Sequence, residues 1–221
     1  MTPHDPNVAR LRKLDICDLS DALDALGLPP SVTGLIGTSA QRPIAGKAVT
    51  VKLVAGTAPG GASRHLCTAA VEAADSDSVI VIEQRSGLDA ASWGGILSRA
   101  AKYRGIAGTI VDGPTRDVEE ANALGYTVYA RNTTARTARG RIHEAECQAP
   151  IRFGDTTVLP GDYIAIDRSG CVVIPVACIN EVLSRAEDIF AKSEKMAAAV
   201  GQGAPVSQVM GGNYETMLEK K

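Results

Sequence analysis

Apolar residues recur along this chain with two different periods. In DICDLSDALDALG (15–27), Ile16, Leu19, Leu23 and Leu26 return at the spacing of one helix face, and Gly27 with Pro29 and Pro30 ends the run. In GKAVTVKLVAG (46–56), Val49, Val51 and Leu53 alternate between glycines, as in a strand. The Ala-rich stretch 63–74 reads as a helix and SVIVIEQ (78–84) as a short, wholly apolar strand. Residues 95–105 form the next predicted helix, closed by Gly105. GIAGTIVDG (105–113) is again a continuous apolar strand, the pattern of a strand covered on both faces. A helix over 116–125, ending at Gly125, and a strand over 126–132 follow.

Beyond that point the pattern changes. Residues 151–175 read as short strands joined by Gly-Asp and Ser-Gly turns. The last long element, 178–203, carries Val182, Ala186, Ile189 and Phe190 on one helical stripe, which needs a surface to bury against. No internal repeat or low-complexity linker interrupts the chain. The order predicts one α/β domain over 1–221, with a core over 1–176 and a C-terminal helical arm over 177–221.

Composition narrows the class. The 221 residues are 45% hydrophobic but only 4% aromatic, so the core is aliphatic. Lys plus Arg number 23 against 25 Asp plus Glu, a net charge of −2 that offers no footprint for nucleic acid or an anionic membrane. Cys17, Cys67, Cys147, Cys171 and Cys178 are scattered and never in CxxC spacing, so they read as reduced thiols of a cytoplasmic protein. The N-terminus lacks the apolar stretch of a signal peptide, and no apolar run is long enough to cross a bilayer.

Three stretches are candidates for chemistry. GTAPGGASRH (56–65) is glycine-rich but has neither the Walker Lys-Ser/Thr nor GxGxxG; a connector or the edge of another pocket accounts for it better than a phosphate cradle. His4, His65 and His143 never fall at metal-ligand spacing, and His4 lies in a tail expected to be disordered. The third stretch is VDGPTRD (111–117), where an apolar strand stops at a turn followed by Arg116 and Asp117, together with Gly94-Gly95 at a helix start. Arg116 offers a planar fork for a carboxylate, Asp117 a hard oxygen for a divalent cation, and the glycines exposed amides for an anion. The alternative is a plain helix start, with Asp117 complementing the macrodipole and Arg116 solvated. The N-terminus of helix 95–105 and the C-terminal end of strand 105–113 need not meet within one chain; a neighbouring subunit or a sheet edge could bring them together.

The stretch GGILSRAAKYRGIAGTIVDGPTRDVEEANALGYTVYA resembles the central motif of the RraA-like family, which includes class II 4-hydroxy-4-methyl-2-oxoglutarate/4-carboxy-4-hydroxy-2-oxoadipate aldolases and the RNase E regulator RraA. LSDALDALG, GKAVTV and LPGDYIAIDRSGCVVIP fit the family's first helix, first strand and closing meander, so the resemblance covers most of the chain. It implies an α/β/β fold like the swivelling phosphohistidine domain, assembly as a homotrimer or pair of trimers, and active sites between subunits. It implies substrate binding by Arg116, metal binding by Asp117, and a pyruvyl carboxylate held by the amides of Ile96 and Leu97 beside Gly94 and Gly95. Asp112 would order the turn. A glutamate from the adjacent subunit's arm would reach the metal through water, with Glu194 the first match and Glu187 the fallback. Where the aldolases carry an acidic residue just before the two amide donors, this chain has Gly95.

The implied activity is divalent-metal-dependent, with Mg²⁺ or Mn²⁺, and cleaves a C–C bond of a pyruvyl-type 2-oxo acid by retro-aldol cleavage or oxaloacetate-like decarboxylation. A non-catalytic, protein-binding regulator of the RraA kind is the alternative. Arg64, Arg131, Arg136, Arg139 and Arg141 are candidates for a second substrate carboxylate, or else a solvated face.

Overall fold

The computed structural model describes residues 4–61, 64–211 and 214. The chain enters through α1 (Pro6–Leu11) and α2 (Ile16–Leu26), each started by an aspartate that accepts a first-turn amide: Asp5 from Asn7 at 2.9 Å and Asp15 from Cys17 at 2.8 Å. The short α1 carries too few apolar positions for periodicity to reveal. It also corrects the expected loose tail, because His4 Nδ1 lies 3.2 Å from Asp77 and the Asp5 amide donates to the same carboxylate at 2.7 Å.

The centre is a sheet of four parallel strands. Chain order runs β1 (Ile36–Ser39), β2 (Ile44–Ala55), α3 (Thr68–Ala73), β3 (Ser78–Gln84), α4 (Gly95–Tyr103), β4 (Gly108–Thr115), α5 (Val118–Leu124) and β5 (Val128–Thr133). β2, β3, β4 and β5 pair in parallel, and β1 closes the far edge antiparallel to β5. In β3, Ile80 and Ile82 face α3–α5, with Trp93, Leu97 and Tyr126, while Val79 and Val81 face the opposite layer. This two-faced burial explains why the strand is apolar at every central position.

β2 is where the sheet curls. Its start pairs antiparallel with β9 (Tyr163–Ile166) and its end with β6 (Ile142–Cys147), while its middle pairs with β3. β10 (Cys171–Ile174) continues beyond β9, and the hairpin β7 (Ile151–Phe153) and β8 (Thr156–Val158) lays Phe153 and Val158 against Val79, Val81 and Ile110. The segments β1 and β6 escaped the sequence reading, being short or half-exposed edge strands without a clean apolar period.

The arm consists of α6 (Ile179–Gly201) and α7 (Val206–Val209); residues 212–213 and 215–221 of the expected arm lie outside the described residues. Val182, Leu183, Ala186 and Ile189 of α6 bury against Val8 of α1, Leu19 and Leu23 of α2 and the outer face of β9–β10. The stripe is therefore satisfied within the chain and does not call for a second subunit; Phe190, at its edge, is only partly buried. All five cysteines are free thiols. Among the described residues, no helix is long and apolar enough to cross a membrane.

A candidate active site at the carboxyl ends of the parallel strands

Because α4 runs antiparallel to the strands it connects, its N-terminus returns to the edge where β3 and β4 end. The doubt whether one chain could join helix start and strand end is thereby resolved without a neighbour. The loop before α4 pairs with the end of β4: Ser92 N donates to Pro114 O at 2.9 Å, and Arg116 N donates to Trp93 O at 3.0 Å. Trp93 is buried, stacks on Tyr126 with ring centroids 6.3 Å apart, and donates through Nε1 to Ser98 Oγ at 2.9 Å. These contacts fix the cleft floor on the sheet, the edge where open α/β folds place their ligands.

Asp117 precedes α5 with left-handed backbone (φ 58°, ψ 39°), a conformation costing a non-glycine residue roughly 1 kcal/mol, least for Asp and Asn. Among the described residues it makes no side-chain cap hydrogen bond to its own helix. Its carboxylate turns instead to the neighbouring helix and accepts the Gly95 amide on Oδ2 at 2.8 Å. Arg116 Nε stands 3.4 Å from the same oxygen, and its side chain is about two-thirds covered rather than free in solvent. The first intrahelical bond of α4 runs from Ser98 N to Gly94 O, so the amides of Ile96 and Leu97 project from the helix end toward this space. Gly94, Gly95, Ile96, Leu97, Arg116 and Asp117 thus line one cleft of about 510 Å³.

The cleft also contains residues whose sequence context gave little notice. Glu120, one turn after Asp117, stands at the rim, where its Oε1 accepts from Arg99 Nη2 at 2.9 Å. Ser92 is fully buried, and its hydroxyl is without a hydrogen-bond partner among the described residues. His65 lines both this cleft and an adjoining hollow of about 570 Å³; burial, with Arg139 and Arg116 nearby, holds its imidazole below the usual pKa. The spacing i, i+3 could have flagged Glu120 beside Asp117; nothing local flags Ser92 or His65.

Other expected residues lie elsewhere. Asp112 is buried on the opposite face of β4, accepting Arg131 Nε at 2.7 Å and Gly154 N at 2.9 Å, so it orders the β7–β8 turn rather than its own. Arg131 is thereby removed from the list of substrate arginines. Arg136 pairs with Asp89, Arg141 donates to Thr137 O, and Arg64 reaches Glu144; of the arginine set only Arg139 lines the cleft itself. Thr57, Ala58, Gly61, Arg64 and His65 of the glycine-rich stretch edge the adjoining hollow, and the amide of Cys67, at the start of α3, is already taken by Glu144 at 2.6 Å, which leaves the pocket-edge reading. Glu187 is held by a two-pronged Arg10 guanidinium at 2.8 and 2.9 Å, which keeps its carboxyl below the usual range and removes it as a fallback. Glu194 is exposed on α6, close enough for its charge to bear on Asp18, and does not line this chain's cleft.

Comparison with known proteins shows the family and the fold. Protein DlpA of Legionella pneumophila is 29% identical over 204 residues, 92% of this chain, but the match spans only 33% of that longer protein. The 4-hydroxy-4-methyl-2-oxoglutarate aldolase of Thermus thermophilus is 27% identical over 164 residues, covering 74% of this chain and 92% of the relative. Among solved structures, an uncharacterized protein from Pseudomonas syringae superposes with a TM-score of 0.83 at 28% identity, over 96% of this chain and all of that one. Streptomyces coelicolor RraAS2, described as an unusual member of the RNase ES inhibitor RraA family, shares the fold with a TM-score of 0.77 at 23% identity, over 88% of this chain and 96% of its own. The model of the RraA-like family, described as Aldolase/RraA, matches residues 16–173, and this chain belongs to that family.

Proposed function

We propose that the chain is a divalent-metal-dependent lyase that breaks a C–C bond of a pyruvyl-type 2-oxo acid, by retro-aldol cleavage of a 4-hydroxy-4-methyl-2-oxoglutarate-like compound, by decarboxylation of an oxaloacetate-like one, or both. The observation that carries the reading is Asp117: a carboxylate in left-handed backbone, uncoupled from its own helix and aimed into a cleft beside Arg116 and open helix-end amides. Aldolase-named relatives support the lyase class.

The donor set fits Mg²⁺ or Mn²⁺. Gly95 engages Asp117 Oδ2 and leaves Oδ1 for a cation. Among the described residues, no group of three or more His, Cys, Asp and Glu side chains stands around one point. A hard ion that keeps most of its water suits such a sparse site. When bound, the ion supplies Lewis-acid stabilisation of charge on the substrate's keto oxygen. Arg116 would take the substrate carboxylate by its fork, with the Ile96 and Leu97 amides sharing that charge. Leu66 and Trp93 wall the cleft with apolar surface. Cleavage breaks the C3–C4 bond; the aldol substrate loses its hydroxyl proton, the decarboxylation substrate loses CO₂, and C3 gains a proton in each case.

The reading includes assembly as a trimer or pair of trimers. Ile96 at the cleft mouth is 84% exposed and Tyr103 on the same helix 93%, an apolar edge that a neighbouring chain would cover, bringing its Glu194 toward the cleft. A screen of 2-oxo acids with Mg²⁺ or Mn²⁺, coupled to pyruvate detection, tests the activity. Release of pyruvate from a 4-hydroxy-2-oxo diacid or oxaloacetate is expected; no turnover of any 2-oxo acid would favour the non-catalytic regulator. A stable, active monomer in sedimentation would contradict the assembly.

A further inference from the structure

Gly95 has ordinary helical surroundings except at its missing side chain. A Cβ at this position would overlap Glu120 Oε2 and lie 2.5 Å from Glu120 Cδ. The same residue's amide donates to Asp117 Oδ2 at 2.8 Å. The carboxylates of Asp117 and Glu120 therefore flank one glycine, one meeting its N–H and the other filling its side-chain volume. Arg99 Nη2 donates to Glu120 Oε1 at 2.9 Å, which steadies the group while its second oxygen occupies the side-chain position of Gly95 at the cleft lining. Independently, fully buried Ser92 lines the same cleft with a hydroxyl that has no hydrogen-bond partner among the described residues, which marks a place built for a polar ligand because an orphaned buried hydroxyl is costly unless something bonds it.

We infer that Glu120 is the second carboxylate of the cation site, holding the hydrated ion through its water, and that position 95 is glycine to give Glu120 that place. The inference rests on the metal-dependent lyase reading of this cleft. It also bears on the departure at Gly95: the negative charge missing there is returned from α5. Glu120 is a positioning group for the ion's water shell, whereas Asp117 binds directly.

The test is Mn²⁺ affinity of the full chain, read by electron paramagnetic resonance of the free ion, alongside kcat/KM. Glu120→Ala and Glu120→Gln should each weaken Mn²⁺ by about 10-fold, the usual scale for outer-shell partners of a metal. Gly95→Ala should weaken it similarly by displacing Glu120, and the double variant Gly95→Ala/Glu120→Ala should be no worse than either alone. Glu120→Gln separates charge from packing, because the amide oxygen can still accept from Arg99. If Glu120→Gln binds Mn²⁺ as the wild type does, Glu120 only ties α5 to α4 and the inference is wrong. Additive losses in the double variant would overturn the claim about position 95. Wild type that binds no Mn²⁺ would overturn both this inference and the lyase reading. Glu120-dependent Mn²⁺ binding without turnover of any 2-oxo acid would uphold the inference and remove the lyase reading.

Discussion

Gly94→Ala probes the geometry of the cleft without touching a charged group. Gly94 is extended (φ −157°, ψ −173°), so alanine fits the backbone there without strain. Its new methyl, however, would stand 2.7 Å from Asp117 Oδ2 and 3.5 Å from Arg116 Nε. Both obstacles are the far ends of side chains, and both are about one-third exposed, so they swing aside instead of unfolding the protein. What is lost is the bond from Gly95 N to Asp117 Oδ2, together with the Arg116 contact at 3.4 Å. A hydrogen bond to a charged acceptor contributes roughly 1.5–3 kcal/mol, which corresponds to a roughly 10- to 150-fold fall in kcat/KM if Asp117 must be so oriented. Stability should fall by about 1 kcal/mol, since the roughly 0.4–1 kcal/mol gained through the unfolded chain offsets only part of the lost bond. The assay is kcat/KM for the best 2-oxo acid at saturating Mg²⁺, beside a thermal melt. A folded Gly94→Ala protein with undiminished kcat/KM would refute the proposed need for that carboxylate orientation.

Three further outcomes are expected. Arg116→Lys replaces a planar fork with a point charge and should lower kcat/KM on the order of 10²-fold, chiefly through KM; equal activity would exclude the fork. Asp112→Ala removes the carboxylate that Arg131 Nε and the Gly154 amide share, leaving Arg131 only its bond to Thr33 O, and should cost about 2 kcal/mol in denaturant unfolding, toward the low side for a buried pair because Arg131 is partly exposed; an unchanged midpoint would contradict the role given to Asp112. Burial pushes the Cys171 thiol up to about 12 and the Cys67 thiol well above its usual value, so both should resist a thiol reagent at pH 8 until the protein unfolds, while exposed Cys17 reacts first. Rapid native labelling of Cys67 would contradict the burial of the α3 start against the sheet.

The strands that carry the site were legible because their patterns are governed by burial on both faces. SVIVIEQ and GIAGTIVDG are apolar wherever helices cover one side and β7–β10 the other, and no other account of those runs is needed. Edge strands β1 and β6 were not legible, because half their side chains meet solvent and their pairing is decided by distant partners, Val128–Ala130 and Val51–Ala55. The stripe on α6 was read correctly as apolar, but the sequence cannot say whether a stripe meets its own chain or another; here α1 and α2, more than 150 positions earlier, cover it. At the cleft, Arg116 and Asp117 stood out as neighbours after a turn, whereas the left-handed φ of Asp117 that aims its carboxylate is not written in residue type alone. Asp112 shows the reverse limit. One residue's alternation in β4 places it across the sheet from the cleft, although it is only five positions from Asp117.

The central claim is that Asp117 holds a cation needed for C–C cleavage. The most direct measurement follows pyruvate release from a 2-oxo acid substrate by wild type and by Asp117→Asn, each freed of metal with EDTA and then titrated with Mg²⁺. The account predicts a wild-type enzyme silent without the ion and restored by it, and an Asp117→Asn protein with the same fold that stays silent across the titration. Undiminished turnover by metal-free wild type, or full restoration of Asp117→Asn by Mg²⁺ at wild-type concentrations, would contradict it.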